Sequence, residues 1–273
     1  LHPCRRPAGR NDTKNKMPDN EITINDEQLL HYSPQIMLTH FGVEAQQKLH
    51  DAHVIIIGMG GLGSPAAMYL AASGVGTLTL VDFDHVDNSN LQRQIVHNTS
   101  NIGESKVSSA RNTLHAINPE TDIHCVDKKL SQHELETLIS DADCVIDATD
   151  NFDTRFMINQ VCVNRSKPLV SAAAIQYEGQ ISVFDFRNED SPCYACLYPD
   201  TNAEENTNCS DNGILAPVVG IIGSMQALET IKLLCDIGDT LQNRLMIFDA
   251  LSMQWRTMKL KKDTHCPVCG KST

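Results

Sequence analysis

A run of apolar residues that leads directly into a cluster of glycines constrains the fold of this chain more than any other feature. The segment reads HVIIIGMGGLGSP and covers residues 53–65. Its glycines Gly58, Gly60 and Gly63 satisfy the pattern G-x-G-x-x-G, and Gly61 is a further glycine between them. Glycine lets the backbone approach a phosphate closely, and a helix N-terminus favours negative charge. Such a turn between a strand and a helix therefore predicts nucleotide binding.

Strand and helix patterns alternate after this turn. Strands are predicted in HVIIIG, TLTLVD, DIHCV and DCVIDATD. Helices are predicted between and after them, at residues 64–73, in ESKVSSARNTLHAIN, in LETLIS behind a capping box of Ser131 and Glu134, and at 152–165. This order is typical of the α/β class with a doubly wound, Rossmann-like sheet whose strands are parallel.

The rest of the chain shows different patterns. Two further strand pairs joined by short turns are predicted, PLVSAAAI with GQISVFDF and RLMIFDA with QWRTMKL. We therefore expect a mixed sheet with a parallel first half and an antiparallel second half. Ahead of the glycine turn, residues 25–52 predict a helical stretch that is capped at Asn25 or Asp26 and is broken or kinked at Pro34.

Length, apolar segments and net charge indicate the domain organisation, the location and the class of ligand. The 273 residues predict a disordered tail at 1–20 and a single domain at 21–273, with a nucleotide-binding half at about 50–165 and a second half at about 166–273. No apolar signal segment opens the sequence, and the run GILAPVVGIIGSMQAL is shorter than the roughly 20 residues of a membrane span. We expect a buried helix there and a cytoplasmic protein. The net charge of −12 argues against general nucleic-acid binding.

The glycine turn alone does not identify the nucleotide. Asp82 ends the next strand, where dinucleotide-binding proteins place an acid that holds the ribose. NAD, FAD and ATP all remain open at this point, and a turn with a purely structural role is a further alternative.

Charged and polar side chains at the strand ends favour ATP. They are Asp82, Asp84, Asn90 and Arg93 after the second strand, Lys106 at the start of the next helix, and Asp150 and Asn151 after the fourth strand. Ligands of doubly wound sheets lie outside these carboxyl ends. Two cations on phosphate oxygens and an Asp150 that holds Mg²⁺ suit a polyphosphate under attack, whereas hydride transfer needs no such groups. The alternative is that each is a solvated surface charge.

Four of the ten cysteines form two C-x-x-C pairs. CYAC contains Cys193 and Cys196, and CPVC contains Cys266 and Cys269. Two such pairs predict a tetrahedral zinc site with no open position, which is a structural site. A redox dithiol in one pair is the alternative.

The other cysteines have different settings. Cys209 lies in the polar stretch TNAEENTNCSDNG, where an exposed thiol is suited to act as a nucleophile or is an incidental surface residue. Four more lie in apolar contexts and are predicted to be small core residues: Cys125, Cys144, Cys162 and Cys235.

Several of these segments together resemble the MoeB/ThiF (HesA/MoeB/ThiF) family, which comprises bacterial relatives of the ubiquitin-activating enzymes. They are residues 58–94 from GMGGLG to NLQRQ, together with DATDN, GQISVF, CYACL and CPVCG. The resemblance implies a homodimeric adenylyltransferase that uses ATP and Mg²⁺ to activate the C-terminal glycine of a ubiquitin-fold sulfur carrier. The carrier is MoaD-like for molybdopterin or ThiS-like for thiamine. A separate sulfur donor such as a cysteine desulfurase then supplies the sulfur of a thiocarboxylate.

The resemblance also implies roles for individual residues. Gly61 lies over the phosphates, and Asp82 holds the ribose. Lys106 neutralises phosphate charge, Asp150 binds magnesium beside Asn151, and Cys209 matches a loop cysteine that bonds to the carrier in ThiF-like members. The segment that lines the nucleotide, with its arginine on phosphate, comprises Ser89, Asn90, Leu91, Gln92 and Arg93.

One departure from the family pattern bears on activity. The family has an arginine near its N-terminus that reaches the ATP of the other subunit, whereas this chain reads YSPQI with Pro34 in that place. This difference has three alternative explanations. The activity is lower, another cation replaces the arginine, or this sequence carries a variant at position 34. An NAD(P)- or FAD-dependent oxidoreductase and a weakly active scaffold for a ubiquitin-like partner remain the competing functions. Relatives that activate a small carboxylate on tRNA are disfavoured by the acidic charge and the complete cysteine set.

Overall fold

The computed structural model describes residues 23–199 and 213–270. In this part of the chain, the strands are β1 His53–Ile57, β2 Thr77–Val81, β3 Asp122–Val126, β4 Cys144–Asp147, β5 Leu169–Ile175, β6 Glu178–Phe184, β7 Arg244–Asp249 and β8 Gln254–Lys259. The α-helices are α1 Asp26–His31, α2 Ser33–Ile36, α3 Gly42–Asp51, α4 Gly63–Ala72, α5 Lys106–Ile117, α6 Gln132–Ile139, α7 Phe152–Arg165, α8 Tyr194–Leu197 and α9 Ala216–Cys235.

All eight strands form one sheet in the order β3-β2-β1-β4-β5-β6-β7-β8. The pairs from β3 to β5 are parallel, and the pairs from β5 to β8 are antiparallel. This confirms the mixed sheet predicted from the sequence. Ile57 pairs with both Val81 and Asp147, so the carboxyl ends of β1, β2 and β4 lie level at one edge.

The core lies on both faces of the sheet. Val54 and Ile56 of β1 pack in a cluster with residues of α4, α5 and α9. Ile55 and Ile57 pack in a second cluster with residues of α6 and α7. Successive strand residues point to opposite faces, so β1 is buried on both sides, and a continuous apolar run is the sequence such a strand requires.

The helices agree with the predicted ones apart from their ends. Helix α7 has the predicted bounds, and α4 begins one residue before the predicted start at 64. The capping box of Ser131 and Glu134 is present at α6. The N-terminal stretch is capped by Asn25, and it breaks at Tyr32 so that Pro34 lies in the first turn of α2, where a missing N–H costs nothing.

Helix α9 has 20 residues and is long and apolar enough to cross a membrane by length and composition alone. It packs against α4 and β5, and the Gln226 side chain donates to the backbone carbonyls of Asp147 and Val170 in the sheet. This confirms the predicted buried helix, displaced a few residues towards the C-terminus. The predicted tail at 1–20 lies outside the described residues.

Candidate active site

A cavity of about 420 Å³ opens where β1, β2 and β4 end, and its volume is typical of small-ligand sites. The glycine turn forms one side. The predicted nucleotide-binding residues that line the cavity are Gly58, Gly60, Gly61, Asp82, Asp84, Gln92, Arg93, Lys106, Asp150 and Asn151. The level ends of the parallel strands bring these residues together from four separate parts of the sequence.

Other predicted residues lie behind the lining. A Cβ on Gly63 would lie 1.9 Å from the Gly58 carbonyl oxygen, so this glycine closes the turn. The Ser89 carbonyl accepts from Arg93 Nη1 at 3.1 Å, and Asn90 Oδ1 accepts from Gln94 Nε2 at 3.0 Å. Ser89 and Asn90 thus support side chains that line the cavity. Leu91 is half-buried and is not part of the lining.

Asp82 fixes the glycine turn from the end of β2. Its Oδ2 accepts from the Met59 amide at 2.7 Å, and its Oδ1 accepts from the Asp84 amide at 2.9 Å. Burial raises the pKa of the Asp82 carboxyl, and the nearby Lys106 ammonium opposes that shift. The carboxylate that the sequence assigns to the ribose is therefore held in place by two backbone amides while it lines the cavity.

The two predicted cations both line the cavity. Lys106 Nζ lies 2.8 Å from Asp84 Oδ2, and the lysine side chain is only 6% exposed. Arg93 is half-buried and anchored through Ser89. A buried ammonium acts in a region of low dielectric constant, where its attraction for a phosphate exceeds that of a surface lysine.

Asp150 lies between β4 and α7 and is exposed. In the described part of the chain no residue forms a hydrogen bond or ion pair with its carboxylate. Asp147, at the end of β4, is buried and accepts from Thr149 and Ser171. A carboxylate that lines the cavity and has its oxygens available suits a hard cation such as Mg²⁺, whereas Asp147 is already engaged in the fold.

Three further cationic residues line the cavity that the sequence analysis did not predict. Lys128 and Lys129 follow β3, and Lys128 Nζ lies 2.6 Å from Glu134 Oε1. Arg155 of α7 is buried, and its guanidinium donates to the Thr149 carbonyl. Two signals could have identified them. The lysines follow the third strand, and Arg155 lies four residues after Asn151, on the same helix face.

The four predicted cysteine ligands form one cluster. Their sulfur atoms lie within 4.8 Å of one another, with 3.6 Å between Cys193 and Cys266 and 3.4 Å between Cys196 and Cys269. A tetrahedral ion with bonds of about 2.3 Å separates its sulfur ligands by about 3.8 Å, so the cluster fits zinc closely. The hydrogen bond with the Cys193 thiol lowers the pKa of Cys196 to about 4, whereas the same hydrogen bond raises the pKa of Cys193 and burial raises that of Cys269.

The remaining singled-out residues lie elsewhere. Cys144, Cys162 and Cys235 are buried as predicted, and Cys125 is half-buried. Pro34 is exposed and does not line the cavity. The predicted nucleophile Cys209 lies outside the described residues.

Comparisons with known proteins identify the family of the chain. Residues 32–268 match the ThiF family. The chain is 44% identical over 248 residues to the molybdopterin-synthase adenylyltransferase of Escherichia coli K12, covering 91% of this chain and 99% of that protein. It is 44% identical over 249 residues to the adenylyltransferase and sulfurtransferase MOCS3 of Drosophila sechellia, covering 90% of this chain and 54% of that protein. The chain thus spans about half the length of its MOCS3 relatives.

Solved structures share the fold at lower sequence identity. Escherichia coli MccB with ATP is similar with a TM-score of 0.75 at 21% identity, over 87% of this chain and 76% of that one. PaaA is similar with a TM-score of 0.76 at 22% identity, over 90% of this chain and 79% of that one.

Proposed function

The chain belongs to the ThiF family, and we propose that it is an ATP-dependent adenylyltransferase. Its substrate is the C-terminal glycine carboxylate of a ubiquitin-fold sulfur carrier. The product is the carrier acyl-adenylate, formed with release of pyrophosphate and later converted to a thiocarboxylate. The single observation that carries the proposal is the cavity in which Arg93 and Lys106 lie with Asp150 beside a glycine turn.

The chemistry follows from the charges in the cavity. A C-terminal carboxylate with a pKa of about 3.5 is ionised at neutral pH, so no side-chain base is needed to activate it. One of its oxygens bonds to the α-phosphorus of ATP, and the bond from that phosphorus to the bridging oxygen breaks. Its electron pair leaves with pyrophosphate. Positioning and stabilisation of moving negative charge are then the whole task of the protein.

We assign the groups of the chain to that task. The amides of Gly60 and Gly61 and the side chains of Arg93 and Lys106 bind phosphate oxygens, and Asp82 holds the ribose. Mg²⁺ bound at Asp150 would neutralise charge on the departing pyrophosphate. Of the remaining predicted residues, Gln92 and Asn151 border the nucleotide. Ser89 and Asn90 accept hydrogen bonds from Arg93 and Gln94, which line the cavity.

The relatives favour one carrier. Two of them, from Salmonella typhimurium and Escherichia coli, are named molybdopterin-synthase adenylyltransferase, which supports a MoaD-like carrier over a ThiS-like one. A cysteine desulfurase or an equivalent donor supplies the sulfur. We further propose that the protein is soluble and cytoplasmic and that the cysteine cluster holds a structural zinc ion. We also propose that the Cys209 thiolate attacks the acyl carbon of the carrier adenylate, which forms a thioester as the bond to AMP breaks and AMP leaves.

A homodimer is part of the proposal. Helices α1 and α2 and the residues after them carry exposed apolar side chains at Leu30, Met37 and Leu38, which a second subunit would cover. Pro34 lies in the same region, where the family resemblance implies an arginine. A Pro34→Arg variant should adenylate the carrier faster if that charge is missing here, and an unchanged rate would show that the chain works without it.

The test is to mix the protein with ATP, Mg²⁺ and either a MoaD-like or a ThiS-like carrier. We expect ATP–pyrophosphate exchange that depends on the MoaD-like carrier, and a carrier mass increased by one adenylate. Lys106→Met and Asp150→Asn should lower both by about 100-fold or more. Lys48→Met, at an exposed lysine of α3 that pairs with Asp236, is the matched control and should change neither. Exchange with no carrier dependence would contradict the proposal, and function that survives both cavity variants would favour a scaffold.

A further inference from the structure

His97 is a buried histidine that the proposed chemistry does not use. It precedes the short 3₁₀ helix Thr99–Asn101 and is 6% exposed. Its Nε2 lies 3.1 Å from the Met59 carbonyl oxygen, and its Nδ1 lies 2.9 Å from Ser109 Oγ on α5. The ring therefore joins the glycine turn to the helix that carries Lys106.

Met59, which is fully buried, is held from two sides. Its amide donates to Asp82, and its carbonyl faces His97. Both peptide groups that flank Met59 therefore have a fixed direction. Residues on either side of the turn, one at the end of β2 and one before α5, set the path of the backbone between Gly58 and Gly60.

The direction of the Met59 carbonyl determines where the next amide points. The structure contains no cis peptide bond among the described residues, and in a trans peptide the N–H points opposite to the C=O. The Gly60 N–H therefore points away from His97. Gly60 lines the cavity while His97 does not, and no described residue accepts from the Gly60 amide. An amide without a protein partner at a cavity wall is available to a phosphate oxygen.

The tautomer of His97 follows from its partners. A carbonyl can only accept, so Nε2 carries the proton, and Nδ1 accepts from the Ser109 hydroxyl. Burial lowers the pKa of His97 and the Lys106 ammonium lowers it further, while the hydrogen bond to the Met59 carbonyl opposes the shift, so the net direction favours the neutral ring. The partner of Lys106, Asp84, and the partner of the Met59 amide, Asp82, are the acids near this arrangement.

From this geometry we propose that His97 is a positioning residue for the nucleotide, which holds the Met59–Gly60 peptide so that the Gly60 amide binds a phosphate. The inference rests on the nucleotide-binding part of the proposed function. Neither His97 nor Ser109 lines the cavity. The effect of His97 is therefore confined to the phosphates and does not extend to the adenosine end of the ligand.

Three variants separate positioning from a general loss of structure. His97→Leu removes the donor at similar volume, and His97→Gln keeps an N–H donor within reach of the carbonyl. Leu114→Val is the matched control, because it loosens the core side of α5 without removing a bond to the turn. Calorimetric titration measures the affinity of the whole protein for ATP with Mg²⁺ and, separately, for adenosine.

We expect His97→Leu to weaken ATP binding about tenfold, the value of one lost hydrogen bond, and to leave adenosine binding unchanged. His97→Gln should stay within about threefold of the wild type, and Leu114→Val should bind ATP normally. Nitrogen NMR of the wild type should show a neutral His97 ring with its proton on Nε2. At saturating ATP, His97→Leu should change the exchange rate less than it changes the affinity.

Each contrary result has its own meaning. Equal losses in His97→Leu and His97→Gln, an equal loss of adenosine binding, or a proton on Nδ1 would overturn the role of His97 while the adenylyltransferase proposal stood. Dependence of ATP affinity on His97 without carrier-dependent exchange would support the role and overturn the reaction. A wild-type protein that binds no ATP would overturn both.

Discussion

Lys106 Nζ donates to Asp84 Oδ2 across 2.8 Å at the wall of the cavity, and the lysine is almost entirely buried while the aspartate is half exposed. The pair restrains the ammonium in the position from which it can meet a phosphate. Lysine has a flexible stem, and a fixed partner removes much of the conformational freedom that ligand binding would otherwise have to restrict.

The two members of this pair should therefore differ in importance. Lys106→Met removes the charge that stabilises the phosphates and should lower kcat/KM for exchange by about 100-fold or more. Asp84→Asn keeps the Lys106 ammonium but restrains it less, and should lower kcat/KM for exchange by less than about tenfold. Steady-state exchange at several ATP concentrations measures both. An Asp84→Asn variant as damaged as Lys106→Met would mean that Asp84 itself acts on the nucleotide.

Gly58 should tolerate no side chain. Its φ is +96°, and a Cβ would lie 2.7 Å from the carbonyl oxygen of Ala148, the residue directly after β4. Gly103 has φ +87° but open space around its Cβ position, so Gly103→Ala shares the backbone strain without the clash. We expect both variants to lose about 1–3 kcal/mol of unfolding free energy from strain, and Gly58→Ala to lose more and to bind ATP poorly. Denaturant titration and calorimetry measure these losses. Equal stability and equal ATP affinity in the two variants would contradict a clash between a side chain at position 58 and the Ala148 carbonyl.

Stability should fall at acid pH partly through His97. Burial lowers its pKa in the folded protein, so the unfolded chain binds the proton more readily. The contribution of His97 is therefore present above the unfolded pKa of about 6.5 and is lost as the pH falls through the folded value. Urea unfolding at pH 7.5 and at a series of lower pH values should show a smaller loss for His97→Gln than for the wild type. Identical pH dependence would show that His97 does not titrate in this way.

The cysteine cluster should contain one zinc ion per chain and should stabilise the C-terminal segment. Metal binding to four thiolates contributes on the order of 10 kcal/mol in small zinc domains. Cys266→Ser should lower both the zinc content and the melting temperature. Cys125→Ser, at a half-buried cysteine outside the cluster, should keep the full zinc content. Elemental analysis measures the zinc content, and thermal unfolding measures the melting temperature. A wild-type protein with two disulfides and no zinc would contradict the zinc site.

The sequence predicted those parts of the fold and site that depend on local patterns. The run that became β1, the capping box of Ser131 and Glu134 at α6 and the two cysteine pairs each have a signal within a few residues. Lys128 and Arg155 have only an indirect signal, which is their position after a strand end. Their place in the lining depends on the pairing of β2 with β3 and on the packing of α7. The same holds for Asp82. Its position at a strand end was predictable, whereas its bond to the Met59 amide depends on the register of β1 with β2.

The break after α2 was also beyond the sequence. His40 adopts a φ of +72° before α3 begins, and no local pattern marked a histidine for that conformation. The helical stretch was therefore divided twice, although Pro34 predicted only one interruption.

One isotope measurement tests the central claim most directly. The C-terminal carboxylate of the MoaD-like carrier is labelled with ¹⁸O, and the carrier is incubated with the protein, ATP, Mg²⁺ and a sulfur donor. Attack of that carboxylate on the α-phosphorus predicts one ¹⁸O atom in the AMP that is finally released, and none in pyrophosphate. Label in phosphate or pyrophosphate, or release of ADP instead of AMP, would show that the cavity does not form an acyl-adenylate.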